Sequence, residues 1–384
     1  VDEICKTLSV ITPEIDFIRI GSELSCDPPF RSRLIENVLE ACSTRREVHA
    51  CIEGCRVFVG TVATFSSKTD MFRLKTFDVA IVDEATQILE PQLLGLLCAR
   101  DVAGNNAIGK FILIGDHKQL PAVVLQSESQ SEVCEECLQS IGLYNLKDSL
   151  FERLYRTVSA DHSSPTTQRF YDMLCRQGRM NVEVAQFPNR AFYGGLLEAV
   201  GLPHQQGKLV LAPGLESDEF ADILVHRVAF LPSVPETPSQ SAKINHFEAR
   251  LTARLAASVY RQYEASNSGF NSALTLGVIT PYRSQIALIK REIAALGIPV
   301  LNDILVDTVE RFQGSERDVI IYSFCVNRTY QLKFLANLTE EKGVWIDRKL
   351  NVALTRARKQ LFMTGVPHLL RQNPIYADLL DTVL

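Results

Sequence analysis

With 384 residues, the chain is long enough for two domains of ordinary size, each with its own core. Its net charge of −5 excludes a global positive field, so any binding to nucleic acid has to use local patches. Ten scattered cysteines, no signal-peptide pattern and no membrane-length apolar run point to a reduced, intracellular, soluble protein that does not engage a membrane.

Val1-Asp2-Glu3-Ile4 enters what reads as a helix already under way, and Phe17-Ile18-Arg19-Ile20 reads as a strand. No GxxxxGK[ST] phosphate loop occurs in the chain; Cys5-Lys6-Thr7 has the Lys-Thr pair but no preceding glycines to build a backbone cradle. Residues 31–55 read as helical, with Leu34, Val38, Leu39 and Cys42 at helix spacing. Arg56 to Thr61 reads as a strand ending in small polar residues. Next comes Asp78-Val79-Ala80-Ile81-Val82-Asp83-Glu84-Ala85-Thr86-Gln87, around which the chain is organised. A run as short and apolar as Val79 to Val82 predicts a parallel strand buried on both faces. Asp83 and Glu84 follow at its carboxyl end, where open α/β sheets place ligands. An Asp there can hold Mg²⁺ through its water shell, and the adjacent Glu can polarise a water for attack on a phosphate. A solvated pair of strand-end acids is the plain alternative.

Ile88 to Cys98 predicts an amphipathic helix, and Lys110 to Ile114 another buried strand. That strand runs into Gly115-Asp116-His117-Lys118-Gln119-Leu120-Pro121, a tight turn with clustered polar side chains. Gln119 can donate and accept at once, which suits sensing a phosphate or a positioned water. Cys134-Glu135-Glu136-Cys137 is a single CxxC without a second pair, leaving a metal site and ordinary thiols both open. Pro188 to Tyr193 reads as the chain leaving the first domain, and residues 202–218 and 232–245 as loops. A helix is expected over Phe247 to Tyr263, with strands at Leu274 to Ile279, Asp318 to Val326 and Leu361 to Thr364. Ile286, Ile289, Ile293 and Leu296 mark a helix face packed on the sheet. Strands alternating with helices make this a second parallel α/β domain. Around residue 350 a helix buries Leu350, Ala353, Leu354 and Ala357, with Arg356 and Arg358 projecting from opposite flanks.

These blocks carry a resemblance. Val82-Asp83-Glu84-Ala85, followed about thirty residues later by Gly-Asp-His-Lys-Gln-Leu-Pro, resembles motifs II and III of superfamily 1 helicases, in their Upf1-like and Dna2-like group. Ser149-Leu150-Phe151-Glu152-Arg153-Leu154 is similar to that group's end-of-domain helix. Gln177-Gly178-Arg179-Met180 resembles its Gln-Tyr-Arg-Met signature, with Gly178 in place of the aromatic and Asn181-Val182 in place of His-Pro. The segment Val278 to Gln285 resembles its Thr-Pro-Tyr segment, Val309 to Glu316 its motif V, and Leu350 to Arg358 its motif VI.

The resemblance implies an α/β protein of two RecA-like (P-loop NTPase-type) parallel-sheet domains, residues 1–160 and 161–384, with ATP in the cleft between them. It implies an enzyme, an ATP-dependent helicase or translocase on single-stranded DNA or RNA, moving 5′ to 3′. Asp83 would hold Mg²⁺, Glu84 would activate water and Gln119 would sense the γ-phosphate. Arg356 would be an arginine finger with Arg179 as its partner, a role suited to a guanidinium that stays charged and forks onto phosphate. Gly314 would bring backbone close to the nucleotide and Glu316 would contact its ribose. Loops near Thr61, Pro281, Tyr282 and Thr308 would contact nucleic acid, mostly at its backbone with some stacking. The first domain is expected to be incomplete at its N-terminus, because Val1 to Ile4 resembles part of motif Ia. Without the phosphate loop the chain as it stands should hydrolyse ATP poorly. A non-catalytic module that binds nucleic acid or protein is the alternative from a different class.

Overall fold

The computed structural model describes residues 1–160, 170–236, 241–341 and 343–384. The chain divides into two compact units, Val1–His117 with Pro121–Tyr171, and Lys118–Leu120 with Asp172–Leu384. The boundary expected between residues 160 and 161 falls at residues 161–169, outside those described.

In the first unit, strand β1 (Phe17–Ile20) pairs in parallel with β2 (Val57–Gly60), and β3 (Phe77–Val82) with β4 (Ile108–Leu113). The two pairs share one apolar core rather than one ladder. Ile18, Ile20 and Phe58 pack with Val82, Ile108 and Phe77, and the Phe58 and Phe77 rings meet edge to face at 5.2 Å. Helix Glu90–Leu97 buries Leu93 and Leu96 against the same core. Two expectations need correction here. The β3–β4 sheet is buried on one face only, since Val79 is 43% and Ile81 65% exposed, with Ile112 and Ile114 also exposed. Alternation along a strand sends neighbouring residues to opposite faces, and the helices of this unit cover only the Ala80 and Val82 side. The predicted helix over residues 31–55 is broken in two, Ile35–Glu40 and Arg45–Gly54. Thr44 accepts from the Glu47 amide and Glu47 reaches back to the Thr44 amide, a capping box that starts the second helix afresh.

In the second unit, short strands β5 (Arg176–Gln177) and β6 (Glu198–Ala199) pair in parallel. The main sheet contains β7 (Val228–Pro232), β8 (Leu276–Ile279), β9 (Leu305–Asp307) and β10 (Arg317–Ser323), with a β11 (Leu338–Glu341) and β12 (Val344–Asp347) hairpin intervening before β13 (Ala357–Gly365). Its order is β7-β13-β10-β8-β9, with every pair parallel. Both faces are buried, as an all-parallel sheet requires. Val319 and Ile321 of β10 face the helices His246–Ala265 and Arg283–Ala294, while Ile320 and Tyr322 face the core lined by Phe187, Leu350 and Leu380. Each fully buried Ile or Val contributes about 1.5–3 kcal/mol.

Three further expectations are revised. Pro188 to Tyr193 does not lead out of a domain but completes helix Val182–Tyr193, with Pro188 inside it. Phe187, Phe192 and Tyr193 are buried in the second unit's core, and that packing carries the helix through the proline. Leu296 lies past the end of its helix and is exposed. Helix Arg348–Thr355 stops before Arg356, which caps it, while Ala357 pairs with Arg317 as β13 begins. Arg358 therefore sits on a strand and not on a helix flank.

Candidate active site

At the end of β3 the chain turns sharply. Ala85 N–H donates to the Ile114 carbonyl (2.7 Å) and Ile114 N–H to the Val82 carbonyl (2.8 Å), so the turn is bonded to the end of β4. Between them Glu84 adopts a left-handed conformation, φ 52°, which costs a non-glycine residue of order 1 kcal/mol or more. Asp83 and Glu84 are both exposed. Asp83 Oδ1 accepts from the Glu84 amide (3.0 Å), and Gln87 Nε2 donates to Glu84 Oε2 (2.6 Å). Gly115 is required by space, since a Cβ there would lie 2.9 Å from Thr86 Cγ2 and 3.1 Å from Thr86 N. Thr61, also in the first unit, is exposed and caps helix Val62–Ser67 by accepting from the Thr64 amide.

The second unit gathers the other expected residues. Lys118–Leu120 belong to it, with Leu120 buried in its core. The Lys118 carbonyl accepts from Asn351 Nδ2 (2.8 Å), the Leu120 carbonyl from Gln313 Nε2 (3.3 Å), and Gln119 Oε1 from Arg356 Nη2 (3.1 Å). Arg356 is 2% exposed and also donates to the carbonyls of Val352 and Ser315 and to Thr355 Oγ1. Its helix is fixed at the other end by Asp347, whose Oδ1 accepts from the amides of Lys349 and Leu350. Burial pushes the Asp347 carboxyl up, against hydrogen bonds from the Asn337 amide and the Tyr376 hydroxyl.

Arg179 reaches the same neighbourhood. Its Nε donates to Glu316 Oε2 (2.8 Å) and its Nη1 to the Thr355 carbonyl (3.4 Å), one residue from Arg356. Arg358 lies 3.3 Å from Glu316 and 3.4 Å from Asp318. Gly314 has φ +74° with open space where a Cβ would stand, so backbone conformation and not crowding calls for glycine. Both departures from the family signature are accommodated. A Cβ on Gly178 would make ordinary contacts of 3.6 and 3.7 Å with Leu202 and Val200. Asn181 is buried, caps helix Val182–Tyr193 and donates to the Gln205 carbonyl (2.8 Å).

Pro281 and Tyr282 follow β8. Burial pushes the Tyr282 phenol up, and its oxygen accepts from Gln331 Nε2 (3.1 Å). Thr308 N–H donates to Asp307 Oδ1 (2.8 Å). Burial alone would raise the neighbouring Glu310 carboxyl, yet the Thr308 hydrogen bond and the Lys349 ammonium hold it below the usual range. Asn351 and Gln313 were missed from sequence, although both lie inside the quoted blocks. A polar residue in the middle of an apolar helical stripe was the signal available for Asn351. Cys134 and Cys137 are exposed thiols, and no group of three or more His, Cys, Asp or Glu able to hold a metal occurs among the described residues.

A family model described as an AAA domain matches residues 146–368, and a second, with the same description, matches residues 30–127. Three relatives extend the match. An uncharacterized ATP-dependent helicase of Methanocaldococcus jannaschii is 29% identical over 354 residues, covering 91% of this chain and 44% of the relative. The DNA replication ATP-dependent helicase/nuclease DNA2 of Xenopus laevis is 30% identical over 379 residues, covering 93% of this chain and 31% of the relative. That of Mus musculus is 29% identical over 390 residues, covering 96% and 32%. The chain belongs to this AAA-domain family, within the Upf1-like and Dna2-like superfamily 1 helicases, whose RecA-like α/β architecture its parallel sheet follows. It spans less than half the length of each of these relatives.

Proposed function

We propose that this chain is the motor part of an ATP-dependent helicase or translocase acting inside the cell on single-stranded nucleic acid, moving 5′ to 3′. The observation that carries the reading is the bond between Arg356 and Gln119, which ties the end of helix Arg348–Thr355 to the Lys118–Leu120 segment of the same unit. A motor needs such a tie, because phosphate sensing and charge stabilisation must respond to one nucleotide. Arg179 and Arg356 supply charge stabilisation, Gln119 senses the γ-phosphate, Gly314 and Glu316 approach the nucleoside, and Glu84 orients and deprotonates the attacking water. Thr61, Pro281, Tyr282 and Thr308 contact the strand.

Mg²⁺ fits the residues present. Asp83 is exposed and offers hard carboxylate oxygen, the donor type that Mg²⁺ takes while keeping most of its water shell. When bound, the ion would neutralise phosphate charge. The domain assignment, residues 1–160 and 161–384, remains part of this reading.

The test uses a chain that includes a GxxxxGK[ST] phosphate loop. Glu84→Gln keeps the shape of the side chain and removes its basicity. Nucleotide binding, followed with a fluorescent ATP analogue, should persist while nucleic-acid-stimulated hydrolysis falls by about 10²-fold or more. Unchanged hydrolysis removes Glu84 from the chemistry, and a parent without stimulated hydrolysis favours the non-catalytic binding module.

A further inference from the structure

The segment between β10 and the β11–β12 hairpin holds two large aromatic side chains in water. Tyr330, in the turn Thr329–Gln331, is 56% exposed, and Phe334, in the adjoining helix Leu332–Leu335, is 65% exposed. Between and beyond them Gln331, Leu332 and Leu335 are buried. Four-residue spacing along one continuous helical stretch places both rings on its solvent side. Arg328 and Lys333 are exposed on the same stretch.

Both ends of this stretch are tied to residues already assigned to the strand. Gln331 Nε2 donates to the Tyr282 hydroxyl (3.1 Å). At the other end the Phe334 carbonyl accepts from Lys349 Nζ (3.4 Å), and Lys349 pairs with Glu310 (3.5 Å), whose carboxylate accepts from Thr308. The stretch that carries both rings is therefore bonded directly to Tyr282 and, through Lys349 and Glu310, to Thr308. Charge points the same way. Arg328, Lys333, Lys243 and Arg283 form no ion pair among the described residues, whereas the neighbouring acids Glu310 and Glu236 are engaged by Lys349 and His246.

We propose that Tyr330 and Phe334 form a stacking platform for two bases of a single strand, with Arg328 and Lys333 against its phosphates, bridging the contacts at Tyr282 and Thr308. The proposal rests on the reading of the chain as a motor on single-stranded nucleic acid. Every base presents a π-face and every linkage a negative charge, so exposed rings interleaved with uncommitted cations match that ligand without reading its sequence. A purely apolar partner would leave the cations unused.

The experiment measures binding of fluorescein-labelled oligothymidine and oligouridine to residues 1–384 by anisotropy across a salt series. Tyr330→Ala and Phe334→Ala should each weaken binding roughly tenfold, with Tyr330→Phe within about twofold of the parent. Both alanine variants should leave the salt slope unchanged, while Lys333→Ala lowers it by about one contact. Since the side chains are exposed, circular dichroism of the variants should match the parent. If the double alanine variant binds like the parent while Tyr282→Ala weakens binding, the platform is overturned and the motor reading stands. A parent that binds neither oligonucleotide overturns both.

Discussion

Arg356 shows how much a residue's role depends on where its chain segment ends. From sequence it is one of two arginines flanking a helix; in the structure it is a buried cap, held by three backbone carbonyls or hydroxyls and by Gln119. Removing it should therefore cost stability as well as turnover, because buried acceptors left unpaired cost about 1–3 kcal/mol each. Arg356→Ala is expected to lower ATP turnover about 10³-fold in a chain with a phosphate loop, as for other arginine fingers. Arg356→Lys, which keeps the charge and loses the fork, separates the two effects: thermal melting should fall between the parent and Arg356→Ala while turnover still falls tenfold or more. Arg358→Ala should leave turnover within a few-fold, since that β13 side chain pairs with Glu316 and Asp318 at the start of β10; the reverse ranking would transfer the finger to Arg358. A second residue sets a pH dependence. Glu248 is fully buried, accepts from Ser233, Ser323 and the Cys325 amide, and burial pushes its carboxyl up to about 7. The folded state then holds a proton that the unfolded state releases near 4.5, so stability falls as pH rises between about 4.5 and 7. Glu248→Gln preserves the hydrogen-bonding shape and should flatten that part of the melting-temperature profile, raising stability at pH 8. A variant whose profile keeps the parent's slope would rule this out.

At the scale of elements, the two sheets differ in what they tolerate. Ile81 is 65% exposed, whereas Ile320 in the centre of β10 is fully buried. In urea unfolding of residues 1–384, Ile81→Lys should cost less than about 0.5 kcal/mol and Ile320→Ala about 2–5 kcal/mol. A large cost at Ile81 would show that the β3 face is covered in solution. The sequence could not separate these cases, because a short apolar run reads the same whether one face is covered or both. It did reveal the strand and helix alternation of the second unit, where runs such as Val319 to Tyr322 are apolar throughout and β10 is buried on both faces. It failed where tertiary packing overrides a local signal: Pro188 reads as a break, yet buried Phe187, Phe192 and Tyr193 hold the helix around it. It also failed at Thr44, whose reciprocal cap with Glu47 restarts a helix inside what periodicity alone reads as one. The candidates for the site were legible residue by residue through the motif blocks. Its connections were not, because the Gln119–Arg356 and Arg179–Glu316 bonds join positions more than a hundred residues apart and leave no spacing to read.

For the whole molecule, charge decides how nucleic acid can be held. A net −5 repels a polyanion at long range, so affinity has to come from a small number of close contacts and from stacking. The residues assigned to the strand agree with that: Pro281 and Tyr282 offer a ring and an apolar surface, and Thr61 and Thr308 offer neutral hydroxyls and amides. None of these four contributes a formal charge, leaving phosphate neutralisation to nearby side chains such as Arg328 and Lys333. Each neutralised phosphate on a single strand adds about 0.7 to the slope of log affinity against log salt. With about three to five such contacts, the slope for oligothymidine should lie between about −2 and −4, and a stacking remainder should survive at high salt. Titrations at several salt concentrations measure both quantities. A slope near zero would mean that the strand is not held through its phosphates, and one near −10 would require a cationic surface that this chain's composition does not provide.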